Sequence, residues 1–271
     1  MGFLHFEYLY YMSINIRLHS GNINTLKFRE PQDINIFYFD SLFTCNIKCV
    51  YCHHTRNTDP MSEEDFKKFY ERYVKSVDHF SLGCGMEPTM DKRMINFARI
   101  IKNSGVVPLC FKLQTNGTIL HHHDIDGLRE AGMNAVCFSF DTIDPEIHRI
   151  QRGGSDLNQI IKNIKWIRKS WDTASVWFMA TVTNLSLPKL DDLVNFAIDN
   201  GINGLTIRNL YHFPESTMLK KEDHEWMKKM LMPDEVFMEK CNEIINKYND
   251  KIIFTPMLPV GIRNHEKEIF T

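Results

Sequence analysis

The hydrophobic period of this chain switches again and again between strand-like runs and helix-like stripes, and that alternation constrains the fold more than any other feature. Apolar or β-rich runs predict short strands at Ile34–Phe43, Phe80–Gly83, Val106–Leu113, Ala135–Phe140, Ser175–Val182 and Leu205–Leu210. Between the first two, Phe66, Phe69, Tyr70, Tyr73, Val74 and Val77 follow i, i+3, i+4, i+7 spacing, with Ser62 and Asp65 placed as a capping box ahead of them. Met94, Phe97, Ala98 and Ile101 form a second stripe. Leu157, Ile160, Ile161, Ile164 and Ile167 form a third, and Leu190, Leu193, Val194 and Ala197 a fourth. Strands that alternate with helices in this way predict βαβ units and a parallel sheet. Six units are too few for a closed eightfold barrel. The expected class is therefore α/β, with a partial (β/α)6 TIM-like barrel and an open doubly wound sheet both fitting, and either gathers chemistry at the carboxyl ends of its strands.

Residues 1–33 precede the first unit and read as a β-rich N-terminal extension. Ile14, Ile16 and Leu18, then Ser20-Gly21-Asn22, then Leu26 and Phe28, predict a β-hairpin there. The barrel is expected over 34–258 and a C-terminal tail over 259–271. The balance of 32 Lys and Arg against 34 Asp and Glu, a net charge of −2, offers no broad basic face, so neither nucleic acid nor a lipid surface is an expected partner. No run of about 18 apolar residues predicts a membrane span. The opening MGFLHFEYLYYM carries Glu7 and lacks the basic start and small-residue end of a signal peptide. Seven cysteines, an odd number, argue against a secreted disulfide framework and for a reducing, cytoplasmic location.

Directly after the first strand, Cys45-Asn-Ile-Lys-Cys49-Val-Tyr-Cys52 brings three thiols into eight residues. A structural zinc site closes with four ligands, whereas three thiolates on a four-iron cube leave one iron open to another ligand. This spacing, with aromatic Tyr51 just before the third cysteine, resembles the radical S-adenosylmethionine (radical SAM) superfamily. The resemblance implies a [4Fe-4S] cluster on Cys45, Cys49 and Cys52. It also implies S-adenosylmethionine on the open iron, reductive cleavage to a 5′-deoxyadenosyl radical, and hydrogen abstraction from a substrate. Tyr51 is then expected near the adenine.

Three further motifs follow in the family's order. Gly83-Cys-Gly85-Met86-Glu87-Pro88 resembles the Gly-Gly-Glu-Pro signature, with Met86 at the second glycine; the resemblance gives Glu87 and the neighbouring backbone the amino group of S-adenosylmethionine. Thr115-Asn116-Gly117 resembles the family's Thr-Asn-Gly after a barrel strand and makes Asn116 a cofactor-binding candidate. Ser139-Phe-Asp141, followed by Arg152-Gly153-Gly154, resembles the segment whose serine and arginine hold the ribose and the carboxylate, with Asp141 in support. The resemblance spans roughly Ile34 to Leu210. Thr181, Thr183, Arg208 and Asn209 stand on later strands, where they line a cofactor or substrate pocket or merely satisfy loops.

The pattern resembles the barrel of SPASM, MoaA-like and PqqE-like maturases. Many of these continue into a cysteine-rich domain, whereas no cysteine follows Cys241 here, so no auxiliary cluster is expected; a compact enzyme and a truncated continuation both fit. The implied partners are an electron donor such as a flavodoxin or ferredoxin and an unidentified substrate, with peptides and proteins among the classes that relatives modify. Met86 motivates a rival reading, a catalytically inactive iron–sulfur or zinc scaffold. Cys110, Cys137 and Cys241 read as core, and His121, His122 and His123, before Asp124, as a solvated helix start. The roles of Cys84, His53 and His54 stay open.

Overall fold

The structure, a computed structural model, describes residues 14–257 apart from Thr55, Asn57, Thr58, Glu215, Thr217 and Met218. The aromatic opening residues and the tail 259–271 lie outside the described residues. Eight strands form one sheet: β1 (Ile14–His19), β2 (Gln32–Asp40), β3 (Val74–Leu82), β4 (Cys110–Thr115), β5 (Ala135–Ser139), β6 (Ser175–Val182), β7 (Gly204–Asn209) and β8 (Ile253–Met257). Their spatial order is their chain order, and every neighbouring pair is parallel. From β2 onward each connection carries helix: α1 (Glu63–Tyr73), α2 (Met94–Asn103), α3 (Ile125–Glu130), α4 (Pro145–Gln151) with α5 (Leu157–Ser170), α6 (Leu190–Asp199), and α7 (Lys221–Met230) with α8 (Asp234–Tyr248). Unbroken sequential order without a reversal matches the partial barrel and excludes the doubly wound alternative, whose order reverses at a switch point.

The hairpin expected in the N-terminal extension does not form. β1 pairs with β2 in parallel, Ile16 opposite Phe37 and Leu18 opposite Phe39, while Leu26 and Phe28 lie outside any strand and pack on the core. A two-residue hairpin turn would make the strands antiparallel; the turns over 20–25 instead let the chain recross. The sheet therefore begins one strand earlier than the six-strand reading, and β8 extends it at the other end.

Local chemistry explains the helices. The Ser62 hydroxyl accepts the Asp65 N–H at 3.0 Å and caps α1, whose Phe66, Phe69, Tyr70 and Tyr73 are buried. The Phe66 ring stacks on Phe39 at 4.3 Å and Phe37 stacks on Phe80 at 4.8 Å, which glues α1 to β2 and β3. The α1 stripe reads onward through Val77, yet the helix stops at Tyr73. Val74 and Val77 pair instead with Gln32 and Ile34, because β-branched residues gain more from the ladder and its packing than from another helical turn.

Along β6 the fully buried Val176, Phe178, Ala180 and Val182 face the helices, while Ser175, Trp177, Met179 and Thr181 alternate onto the other, half-buried face. That second face and the loops at the strand ends position the candidate site. On the helix layer, Asp191 of α6 accepts hydrogen bonds from Lys240, Lys247 and Tyr248 of α8 at 2.7, 2.7 and 3.0 Å. Partial burial would raise its carboxyl, but these hydrogen bonds win and bring it from 3.8 to about 2. A depressed carboxylate contributes stability above its unfolded value and loses it as pH falls through the folded one. Urea midpoints of the wild type and Asp191→Asn should therefore differ at neutral pH and converge as the pH drops from about 4 toward 2; a constant gap would show that Asp191 is not the group titrating.

Candidate functional site

The cysteine loop leaves the carboxyl end of β2 and is stitched down at several points. Cys49 and Arg152 face one another in a short antiparallel bridge, Lys48 opposite Gly153. The Val50 N–H donates to the Gln151 carbonyl at 3.1 Å. Arg56 donates to the carbonyls of Cys45, at 3.1 Å, and of Ile47. Asn116, from the β4 end, sends its amide to the Cys45 sulfur at 3.7 Å and to Asn46 Oδ1 at 2.8 Å. All seven cysteines are free thiols. Burial pushes the Cys45 thiol up, and it pushes Cys49 up to about 12 against the pull of the Arg152 guanidinium.

Sulfurs held neutral in this way become thiolates when a bound cation supplies positive charge. Among the described residues no three His, Cys, Asp or Glu side chains meet as the ligands of a single metal ion. A four-iron cube is wider than one ion. The three thiols on one loop, each within electrostatic reach of the others, supply the soft donor set that such a cluster takes.

The loop after β3 is organised by a residue that sequence reasoning passed over. Asp40, closing the apolar β2, accepts the backbone N–H groups of Cys84, Gly85 and Met86 at 3.0, 3.4 and 3.2 Å, and pairs with Arg17 of β1 at 3.2 Å. The available signal was a lone carboxylate at the end of an aromatic strand, just ahead of the cysteines. Gly83 has φ +83°, and a Cβ there would lie 2.5 Å from the Gln114 carbonyl oxygen. Gly83→Ala should cost about 1–3 kcal/mol in chemical unfolding; a loss below that range would mean the loop relaxes freely. A Cβ on Gly85 would collide with Arg17 Nη2, so the cation lies directly against this glycine. Met86 needs no glycine, since no described non-glycine residue has positive φ; its side chain is buried. The motivation for a lapsed scaffold thereby disappears.

Glu87 closes this loop and caps the short 3-10 turn that follows. It is 2% exposed, and its carboxylate accepts the Thr115 hydroxyl at 2.6 Å, the Asn116 N–H at 2.6 Å, and the Thr89 hydroxyl and N–H at 2.5 and 3.2 Å. Burial raises this carboxyl, and the hydrogen bonds from Asn116, Thr115 and Thr89 oppose the rise. Four internal donors make its carboxylate a bracket between the β3 and β4 loops. Pro88 opens the short 3-10 turn that Glu87 caps.

At the β5 end, Asp141 and Arg152 form a buried two-pronged pair, Nε to Oδ2 and Nη2 to Oδ1, both 2.8 Å. Asp141 also accepts the Tyr51 hydroxyl, the Thr181 N–H at 2.8 Å and the Gln151 amide at 3.4 Å. Asp141, expected to orient backbone or Arg152, holds both the Arg152 guanidinium and the Thr181 backbone. Tyr51 is held by its hydroxyl on Asp141 and lies with its ring centroid 6.0 Å from the Arg152 guanidinium carbon, which joins the cysteine loop to this pair. Ser139 ends β5 half-buried, beside Met179, and its hydroxyl makes no hydrogen bond to another described residue. Cys49, Tyr51, Asp141 and Arg152 therefore form one cluster, and Cys45, Asn46, Asn116 and Glu87 a second beside it.

Of the remaining expectations, Cys137 and Cys241 are buried and Cys110 is half-exposed. Asp124 caps α3, and His123 Nε2 lies 2.8 Å from the Thr89 carbonyl oxygen, an internal contact rather than a solvated one.

A parallel, unclosed α/β barrel with its polar residues massed on the loops at the carboxyl ends defines the structural class. Its motifs define the family. The sequence profile described as "Radical SAM superfamily" matches residues 42–197, more than half of the chain, and the chain belongs to that superfamily of enzymes. It is 26% identical over 208 residues to a probable GTP 3′,8-cyclase of Sulfurisphaera tokodaii, covering 74% of this chain and 62% of that one. With a probable GTP 3′,8-cyclase of Pyrococcus abyssi it shares 31% over 160 residues, 56% of this chain and 49% of that one. The chain thus spans about half to three fifths of these curated relatives' length. Streptococcus suis SuiB bound to S-adenosylmethionine superposes with a TM-score of 0.59 at 18% identity, over 84% of this chain and 50% of that one, a likeness of fold. Membership implies S-adenosylmethionine and an iron–sulfur cluster.

Proposed function

We propose that this chain holds a [4Fe-4S] cluster on Cys45, Cys49 and Cys52 and carries out S-adenosylmethionine-dependent radical chemistry at the mouth of its barrel. The observation that carries the reading is the cysteine loop clamped to Arg152 and Asp141, with Asn116 reaching a cysteine sulfur. When bound, the cluster would supply the electron that cleaves the sulfonium and releases a 5′-deoxyadenosyl radical to take hydrogen from substrate.

The chain's own part is binding and orientation. The Gly85–Met86 backbone, fixed by Asp40, faces the amino group, while Glu87 and Pro88 hold that loop in place. Asn116 steadies Cys45. Ser139 offers a hydroxyl for the ribose, and Arg152, oriented by Asp141, offers charge for the carboxylate. Tyr51 closes the cysteine loop beside the adenine site. Electrons would come from a flavodoxin- or ferredoxin-type donor. Seven unpaired thiols suit a reducing, cytoplasmic setting, and no helix among the described residues is long and apolar enough to cross a membrane. Nucleotide and peptide substrates both have precedents by name among its likenesses, the cyclases and SuiB bound to the precursor peptide SuiA.

Anaerobic reconstitution followed by an assay for 5′-deoxyadenosine tests the proposal. Iron near four per chain with 5′-deoxyadenosine formed supports it, and failure of both in folded protein overturns it.

A further inference from the structure

His148 of α4 is 2% exposed, and only one of its ring nitrogens is answered. Nε2 lies 2.7 Å from the Ser155 hydroxyl oxygen, and that hydroxyl lies 2.6 Å from the Arg152 carbonyl oxygen. Nδ1 is buried with no hydrogen-bond partner among the described residues. A carbonyl only accepts, so the hydroxyl proton points at Arg152, and the hydroxyl oxygen is left to accept from Nε2–H. The ring therefore carries its proton on Nε2 and keeps a bare Nδ1. Burial, with the Arg152 guanidinium adding to it, brings the ring from 6.5 down to about 4 against the pull of Asp141 and Asp156, so it is neutral at physiological pH. An unpartnered buried nitrogen is destabilising, and a leucine of similar size would avoid it; what a leucine lacks is the Nε2–H that Ser155 accepts.

That hydrogen bond holds the turn over residues 152–155. The Ser155 N–H also donates to the Arg152 carbonyl, at 3.2 Å, and Gly154, with φ +86°, lets the chain fold back to do so. The same turn is pressed on the cysteine loop: Arg152 faces Cys49 in the short bridge, and a Cβ on Gly153 would lie 3.1 Å from the Lys48 carbonyl oxygen. The Arg152 side chain is gripped along one edge only. Its Nε and Nη2 are both on Asp141 at 2.8 Å, while Nη1 donates to no described residue. Arg152 is thus fixed at its carbonyl by His148 through Ser155, and at its side chain by Asp141, with one guanidinium nitrogen left to answer an outside oxyanion.

We propose that His148 and Ser155 are positioning residues which, acting through the Arg152 main chain, set the guanidinium edge that Arg152 offers to the carboxylate of S-adenosylmethionine. The inference rests on the role proposed above for Arg152 and extends it to two residues that touch no cofactor themselves.

Titration calorimetry on the reconstituted full chain tests it, with S-adenosylmethionine and decarboxylated S-adenosylmethionine, which lacks only the carboxylate, as separate probes. His148→Leu and Ser155→Ala should each weaken S-adenosylmethionine about tenfold or more and leave the weaker binding of the decarboxylated probe unchanged. The two substitutions together should weaken it no further than either alone, because both break one chain of hydrogen bonds. His148→Gln, whose amide keeps a neutral donor near the Nε2 position, should bind close to wild type. His148→Leu should melt no lower than wild type, since it removes the unpartnered nitrogen, and in turnover the KM for S-adenosylmethionine should rise while kcat holds. Undiminished binding by the leucine and alanine variants, equal loss for both probes, full additivity in the double variant, no recovery in His148→Gln, or a His148→Leu that melts well below wild type would each overturn the inference. Wild type that forms 5′-deoxyadenosine while the variants bind S-adenosylmethionine equally well sinks this inference alone. Wild type that binds no S-adenosylmethionine sinks the radical reading and this inference with it.

Discussion

Cys49→Ser is expected to abolish cluster loading and to cut 5′-deoxyadenosine formation by at least a hundredfold, on the order of the losses seen when metal sites lose essential groups. Serine keeps the size and much of the hydrogen bonding but replaces a soft thiolate with a hydroxyl that does not ionise at neutral pH, so two donors remain where three are needed. The backbone bridge from residue 49 to Arg152 survives the substitution, and the fold should survive with it. Iron content and visible absorbance, read beside far-ultraviolet circular dichroism, separate loss of ligation from loss of fold. Cys110→Ser, at a half-exposed cysteine outside the loop, is the comparison and should load iron normally. Retention of wild-type iron and cleavage by Cys49→Ser would remove this residue from the cluster and the three-cysteine reading with it.

The second large effect is structural. Asp141→Ala should destabilise the chain by about 3–5 kcal/mol, because it strands a buried guanidinium whose two 2.8 Å contacts are both to this carboxylate. The Tyr51 hydroxyl, the Gln151 amide and the Thr181 N–H lose their acceptor in the same step. Against a total stability of about 5–15 kcal/mol, that is a large fraction. Removing both charges, as Asp141→Ala with Arg152→Met, should recover part of the loss, and the coupling in the double-mutant cycle measures the pair itself. Since Arg152 faces Cys49 across the short bridge, Asp141→Ala should also slow iron loading in protein that is still folded. A single variant within about 1 kcal/mol of wild type in denaturant unfolding would mean that water or a neighbour satisfies Arg152 and that the pair is not the clamp described.

How far this was legible in the chain varies from residue to residue. Ser62 and Asp65 announced the start of α1, and the capping hydrogen bond is present because both partners lie within one turn. The Asp141 support of Arg152 was readable because the two stand eleven positions apart on either side of one short helix. Asp40 was missed because its partners, the N–H groups of Cys84, Gly85 and Met86, are more than forty residues away, and a lone aspartate says nothing of them. Glu87 was recognised by its motif, but the Thr89, Thr115 and Asn116 donors that hold its carboxylate were not legible, because they meet only when β3 and β4 lie side by side.

The sequence by itself determined the α/β class, the parallel sheet, the order of the motifs along successive strand ends and the thiol loop, since each follows from side-chain period or from spacing within a few residues. Only the tertiary structure decided that Ile14–His19 joins the sheet in parallel, that α1 yields to β3 at Val74, and that Asp40 gathers the N–H groups of Cys84, Gly85 and Met86. The physical reason is the same in each case. A period of two tells which side of a strand a residue occupies, but which strand lies next to it is set by hydrogen bonds between distant segments, and those exist only once the sheet is assembled.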